Sequence, residues 1–199
     1  STVNIEENST RTPVNYVLPP NVNRVIDPTS TTLQELNESA LSMKVVDLED
    51  GNSKAIYKQV NKDFRQFGTL EMFVHAEALI DQENSLDDDD LYAFIRLGSD
   101  YVDNYYEYEI PLKLTPHVTG DGSLYNNNSL TDRQIVWPED NKISLPFEVL
   151  TNLKLERNKM INEGIISDLE TYHVYTIPYG NNRVSIKGNP NIGNVRTIM

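Results

Sequence analysis

The sequence predicts a mostly β protein: an antiparallel β-sandwich of the jelly-roll, galactose-binding-like kind, with one helical excursion near residues 147–163. Three observations carry this. Apolar residues alternate with period two in several short runs, turn residues separate those runs, and a single run has helical spacing. Up to residue 32 the chain is punctuated by Pro13, Pro19, Pro20 and Pro28. Proline gives up the ladder donor, so residues 1–32 are expected to be an extended N-terminal arm with little apolar surface of its own. Residues 39–48 alternate, with Leu41, Met43 and Val45 on one face, and Asp50, Gly51 and Asn52 supply turn chemistry before a second strand over 55–60. Residues 69–78 form the clearest strand: Leu70, Met72, Val74, Ala76 and Ala78 share one face, and Glu71, Phe73, His75 and Glu77 the other.

Residues 91–98 alternate likewise, with Leu91, Ala93, Ile95 and Leu97 on one side. Residues 104–114 follow, carrying Tyr106, Tyr108, Ile110 and Leu112 together. These three strands are expected to be neighbours in one sheet, with Met72, Val74, Ile95 and Tyr108 in the core. Residues 119–132, rich in Gly, Asp, Ser and Asn, read as a loop. Leu150, Leu153, Arg157 and Ile161 lie on one face of a helix that Gly164 is placed to end. Strands over 172–177, 183–187 and from Val195 onward close the chain. Residues 33–199 are therefore expected to be one β-sandwich domain. Its last strand, still running at Met199, reads as cut short, so the chain is expected to be a piece of a longer protein.

Composition narrows the function. The 199 residues hold 17 Lys and Arg against 30 Asp and Glu, a net charge of −13. Phosphate backbones and anionic lipid surfaces both call for a basic face, so neither nucleic acid nor a membrane surface is an expected partner. With no cysteine, disulfides, Cys-ligated zinc, iron–sulfur clusters and thiol nucleophiles are excluded. No run approaches the roughly 18 apolar residues of a membrane helix, and residues 1–12 lack the apolar stretch of a signal peptide, so no direct membrane insertion is expected.

Candidate chemistry is sparse. The run Asp87–Asp90 lacks the glycine, the alternating carboxylates and the distal Glu of a calcium loop, so the acidic loop at 81–90 is expected to be solvated rather than a calcium site. In the loop at 119–132, Asp121, Asn126, Asn127, Asn128 and Asp132 could offer oxygens to calcium but have no spacing code, so a disordered loop is expected instead. His75, His117 and His173 lie in different segments with no metal-binding spacing. His75 beside Glu77 reads either as half of an acid–base pair or as a packed, hydrogen-bonded histidine. Trp137 reads as a sandwich anchor rather than a ligand platform, and Tyr105, among glutamates, as half-exposed. No nucleophile elbow, phosphate loop or nucleotide fingerprint is present. No catalytic, cofactor-binding or metal-binding residue is assigned, and the chain is expected not to be an enzyme.

Seven blocks, in order, carry a resemblance. They are PVNYVLPP (13–20, followed by Asn23 and Arg24), MFVHAE (72–77), IRLGSDY (95–101), NYYEYEIPL (104–112), WPE (137–139), GNPNIG (188–193) and TIM (197–199). Together they resemble the gliding-motility SprA family, called Sov in some relatives. The resemblance implies the outer-membrane translocon of the type IX secretion system of Bacteroidetes, a very large β-barrel that passes folded cargo. Far too few strands fit here for such a barrel. The implied role is a non-catalytic structural and interaction domain at the pore, on the extracellular rather than the periplasmic face of the outer membrane. Its implied partners are the rest of the barrel, other type IX components or secreted cargo. The competing reading is a carbohydrate-binding jelly roll from a surface glycan-utilisation protein.

Overall fold

Period-two alternation becomes paired strands in both halves of the chain. The computed structural model describes residues 1–24, 39–80 and 86–199. In chain order these form β1 (Thr2–Glu7), β2 (Ser39–Lys44), β3 (Lys58–Lys62), β4 (Thr69–Met72), β5 (Tyr92–Gly98) and β6 (Tyr105–Pro111). Helix α1 (Leu130–Val136), β7 (Ile143–Pro146), helix α2 (Phe147–Asn162), β8 (Tyr175–Tyr179), β9 (Asn182–Lys187) and β10 (Val195–Ile198) follow. Every strand pairing among the described residues is antiparallel. The architecture is that of the expected class, mostly antiparallel β with a helical excursion at the expected residues. Contacts divide it into two compact units, one of Ser1–Lys54, His75–Asp87 and Lys113–Glu139, the other of Ala55–Val74, Asp88–Leu112 and Asp140–Met199. The expected boundary at residues 32–33 lies outside the described residues.

In the second unit six strands run in the order β3-β10-β5-β6-β9-β8. Register stacks Ile95, Tyr108, Val184 and Ile177 in one cross-strand rung, and Leu97, Tyr106, Ile186 and Tyr175 in another. Between them, on the opposite face, runs the polar rung Arg96, Glu107, Ser185 and Thr176. Arg96 pairs with Glu107, and Arg183 with Glu109 in the next polar rung. Helix α2 packs across β9, burying Leu150 and Leu153, and the Tyr175 hydroxyl reaches Met160 Sδ at 3.4 Å. Each such buried aliphatic side chain contributes roughly 1.5–3 kcal/mol. The helix ends as expected. Gly164, at φ 71°, donates to Ile161 O at 3.0 Å, and Ile165 N donates to Met160 O at 2.9 Å, the paired bonds of a Schellman cap.

The strand expected over 69–78 is divided. β4 pairs with β7 in a separate two-stranded sheet, Met72 is exposed and Val74 is half-buried, so neither belongs to the core. From His75 the chain belongs to the first unit, where Ala76 and Ala78 are buried and the Ala76 carbonyl accepts from Thr115 N at 2.9 Å. Alternation reports which residues share a face, and here one alternating run serves two cores in turn. Tyr105 is also corrected: it is buried, because the Arg96 guanidinium lies over its ring at 4.3 Å.

In the first unit the proline-rich segment is core rather than arm. Val14 and Val17 are fully buried with Tyr125 and Val136, and Trp137 packs against them. Prolines deny this segment a ladder, and side chains take over its backbone groups. Asn15 bonds both the N–H and the carbonyl of Tyr125, at 2.9 and 2.8 Å, and Leu18 N donates to Asn127 Oδ1 at 2.7 Å. Arg133 donates to the carbonyls of Leu18 and Pro19, and Trp137 Nε1 donates to Val17 O at 2.7 Å. Helix α1, whose first turn falls at the end of the stretch read as loop over 119–132, is capped by Ser129, whose Oγ accepts from Asp132 N at 3.2 Å. β1 pairs with β2, matching Val3 with Met43 and Ile5 with Leu41.

Gly98 tests the β5–β6 hairpin. A Cβ there would strike the Asn104 carbonyl and lie 2.7 Å from Tyr105 Cα, backbone atoms that cannot turn aside. Gly98→Ala is expected to cost about 3 kcal/mol in urea unfolding. Gly120→Ala, with nothing within 4 Å, is expected to stay within about 0.5 kcal/mol of the native chain.

Candidate functional site

The most closely knit polar centre forms where residues 75–77 meet the proline-rich segment and the end of α1. His75 has a side chain only 7% exposed. Its Nδ1 lies 2.9 Å from the Val136 carbonyl, so Nδ1 carries a proton and donates. Nε2 faces Glu77 Oε2 at 3.1 Å, a bond that needs a proton on one of the two. The same carboxylate oxygen accepts from Val14 N at 3.3 Å. Trp137 stands edge-on to the imidazole at 5.7 Å and to Tyr16 at 6.3 Å, with the Arg11 guanidinium over its ring at 5.7 Å. Burial pushes the Glu77 carboxyl up, but the hydrogen bond and charge of His75, the Arg11 charge and the Val14 N–H outweigh it and hold the group below the usual carboxylate range.

His75 and Glu77, paired on one strand face in the sequence, are thus brought together, and protein oxygens occupy both ring nitrogens. His117 Nε2 lies 2.9 Å from the Ala78 carbonyl, and His173 is exposed in the other unit. Among the described residues no group of three or more His, Asp or Glu gathers in a way that could hold a metal ion.

The acidic loops are occupied locally. Asp121 accepts from the hydroxyls of Ser123 and Thr119, at 2.6 and 2.5 Å, and from Ser123 N, which holds its carboxyl down at about 2. Asp132 accepts from Asn126 N at 2.7 Å and from the Ser129 hydroxyl at 2.8 Å. Asp87–Asp90 are exposed, and the Asp89 N–H donates to Leu112 O at 2.9 Å; residues 81–85 of that loop lie outside the described residues. Asp100 is raised by its partial burial, yet four hydrogen bonds from residues 102–104 bring it down to about 2 while they close the β5–β6 turn.

One polar residue of the interior escaped the reading of motifs. Arg157 occupies a buried position in the apolar stripe of α2 and donates to Gly188 O at 2.8 Å. The signal was present: a cation spaced four residues from Leu153 in an otherwise apolar series.

These features define a class, an antiparallel β protein whose ionisable groups close turns and bind buried backbone. A family model described as motility related/secretion protein, SprA_N, matches residues 1–199. The chain belongs to this SprA N-terminal family. No curated protein matches the chain.

Glu77 ties stability to pH with a definite sign. Its folded pKa is depressed, so its contribution is fully present above the ordinary value, about 4.3, and is lost as pH falls through the lower folded value. Glu77→Gln is expected to cost about 1–3 kcal/mol at pH 7, since it leaves His75 and Val14 short of a charged acceptor. The difference from the native chain should shrink as pH drops from about 5 to 3, read from urea midpoints at each pH.

Proposed function

We propose that this chain is a non-catalytic structural and interaction module of the outer-membrane translocon of type IX secretion, the system that serves gliding motility. Its family is one of motility related/secretion proteins, which supports the secretion context. The observation that carries the reading is the sheet of β1 and β2. Val3 stands opposite Met43 and Ile5 opposite Leu41, and all four are exposed, Ile5 at 79% and Leu41 at 60%. Large apolar side chains in register on one face of a two-stranded sheet form a contiguous patch, which in soluble domains marks an interaction surface. The partners proposed for it are the barrel of the same translocon, its other components or passing cargo.

A non-catalytic role accords with the His75–Glu77 pair, where both imidazole nitrogens are bound to protein oxygens. No helix of the described residues is long and apolar enough to cross a membrane. An acidic surface, set by the net charge of −13, discourages adhesion of other acidic proteins beside a pore. The reading favours the extracellular face of the outer membrane over the periplasmic one.

The test introduces Ile5→Lys and Leu41→Lys together in the translocon of a gliding bacterium. Both side chains are exposed, so the melting temperature of the purified module should move by no more than about 2 °C. Secretion is expected to fall at least about tenfold, the loss of roughly 1.4 kcal/mol from one contact. Unchanged secretion and gliding would remove the interaction role.

A further inference from the structure

Arg157 is 1% exposed, on the α2 face that carries Leu150 and Leu153. Its Nη2 donates to Gly188 O at 2.8 Å and, across a long 3.4 Å, to Asn158 Oδ1. Nε and Nη1 are buried and have no hydrogen-bond partner among the described residues. No carboxylate of the described residues forms an ion pair with it. Nearly all buried polar groups find partners, and a buried cation without a counter-charge is among the costliest exceptions. A hydrophobic residue at this stripe position would pack without that penalty, so the arginine calls for a reason.

Arg157 is among the residues lining a half-open cavity of about 690 Å³, within the range of small-molecule sites. Asn104, Asn158, Thr171, Tyr172, Lys187 and Asn189 also line it. Lys187 Nζ lies 3.0 Å from Asp103 Oδ1, another lining residue. Arg157 and Lys187 against Asp103 leave one net positive charge, which suits a monoanion better than a dianion. The neutral lining is made of amides and hydroxyls, the groups that bind hydroxyls, and Tyr172, 73% exposed, offers a ring at the edge.

We propose that this cavity binds a small hydroxylated carboxylate, the chemistry of a sugar acid. The weak bond from Arg157 to Asn158 Oδ1 gives way. The carboxylate then accepts from Nη2 in place of that amide oxygen, a charge-assisted hydrogen bond that gives the buried cation its counter-charge. Asn158 and Asn189 bond the ligand hydroxyls, and the Tyr172 ring covers its apolar face. This site is separate from the β1–β2 surface: binding is read on the purified chain, whereas that surface is read by secretion.

The experiment titrates the 199-residue chain with glucuronate, glucose and inorganic phosphate, followed by calorimetry and melting temperature. Glucuronate is expected to bind at least about tenfold more tightly than glucose, a difference of roughly 1.4 kcal/mol, and to raise the melting temperature. Tyr172→Ala, at an exposed position, should weaken it several-fold with the fold intact. Arg157→Met should abolish it. Asn158→Asp covers the case in which that variant fails to fold: it gives Arg157 an internal carboxylate, so it should raise the melting temperature of the free chain and abolish glucuronate binding. Glucuronate binding no tighter than glucose, phosphate binding tighter than glucuronate, or binding that survives Asn158→Asp would each overturn the proposal.

Discussion

A buried peptide group must have a hydrogen-bond partner, and the two units meet that demand in opposite ways. In the second unit the ladder does it. β6 lies between β5 and β9, and its three buried tyrosines stand on a strand paired along both edges. In the first unit proline rules the ladder out over residues 13–20, so side chains supply the partners. Glu77, Asn127, Arg133 and Trp137 bond the backbone of that segment, its own Asn15 bonds the backbone of Tyr125, and His75 closes the same cluster. The burial of Val14 and Val17 depends on these bonds, because an apolar side chain can be buried only if the backbone that carries it is satisfied.

The same economy explains the charges. A chain with net charge −13 could gather carboxylates into a metal or acid–base site. Instead Asp100, Asp121 and Asp132 each accept from nearby N–H or hydroxyl donors and fix a turn or a helix start. At Asp100 and Asp121 such short-range bonds stabilise the charged form and hold both carboxyls down at about 2. On the polar face of the large sheet, Arg96 with Glu107 and Arg183 with Glu109 are cross-strand neighbours, so opposite charges meet directly across the ladder. Arg157 stands apart, a cation whose bonds go to neutral carbonyl oxygens.

Much of the candidate site could be read from its residues, and the omissions have identifiable causes. The pairing of His75 with Glu77 is the one the alternation of residues i and i+2 predicts, although β4 itself ends at Met72. The Val136 carbonyl that binds the other ring nitrogen is 61 residues away, beyond any periodicity. Trp137 proved to be an anchor, but its hydrogen-bond partner, Val17, lies in a segment set aside as an arm. Two local signals were present and passed over. Val3 and Ile5 alternate within a polar stretch, and Ser129 with Asp132 has the spacing of a helix N-terminal capping box.

Features set by near neighbours were already determined by the order of residues. The antiparallel class, the helix over Phe147–Asn162 and its end at Gly164, and the burial of Tyr106 and Tyr108 all follow from periods of two and 3.6 and from a glycine free to adopt positive φ. Pairing between distant segments was not. β10 enters the middle of the sheet between β3 and β5, the run over 69–78 divides between two units, and Arg157 comes to lie beneath Gly188. An alternating pattern states that one face is buried but carries no record of what buries it. That choice rests on contacts between residues far apart in the chain, which exist only once the strands have paired.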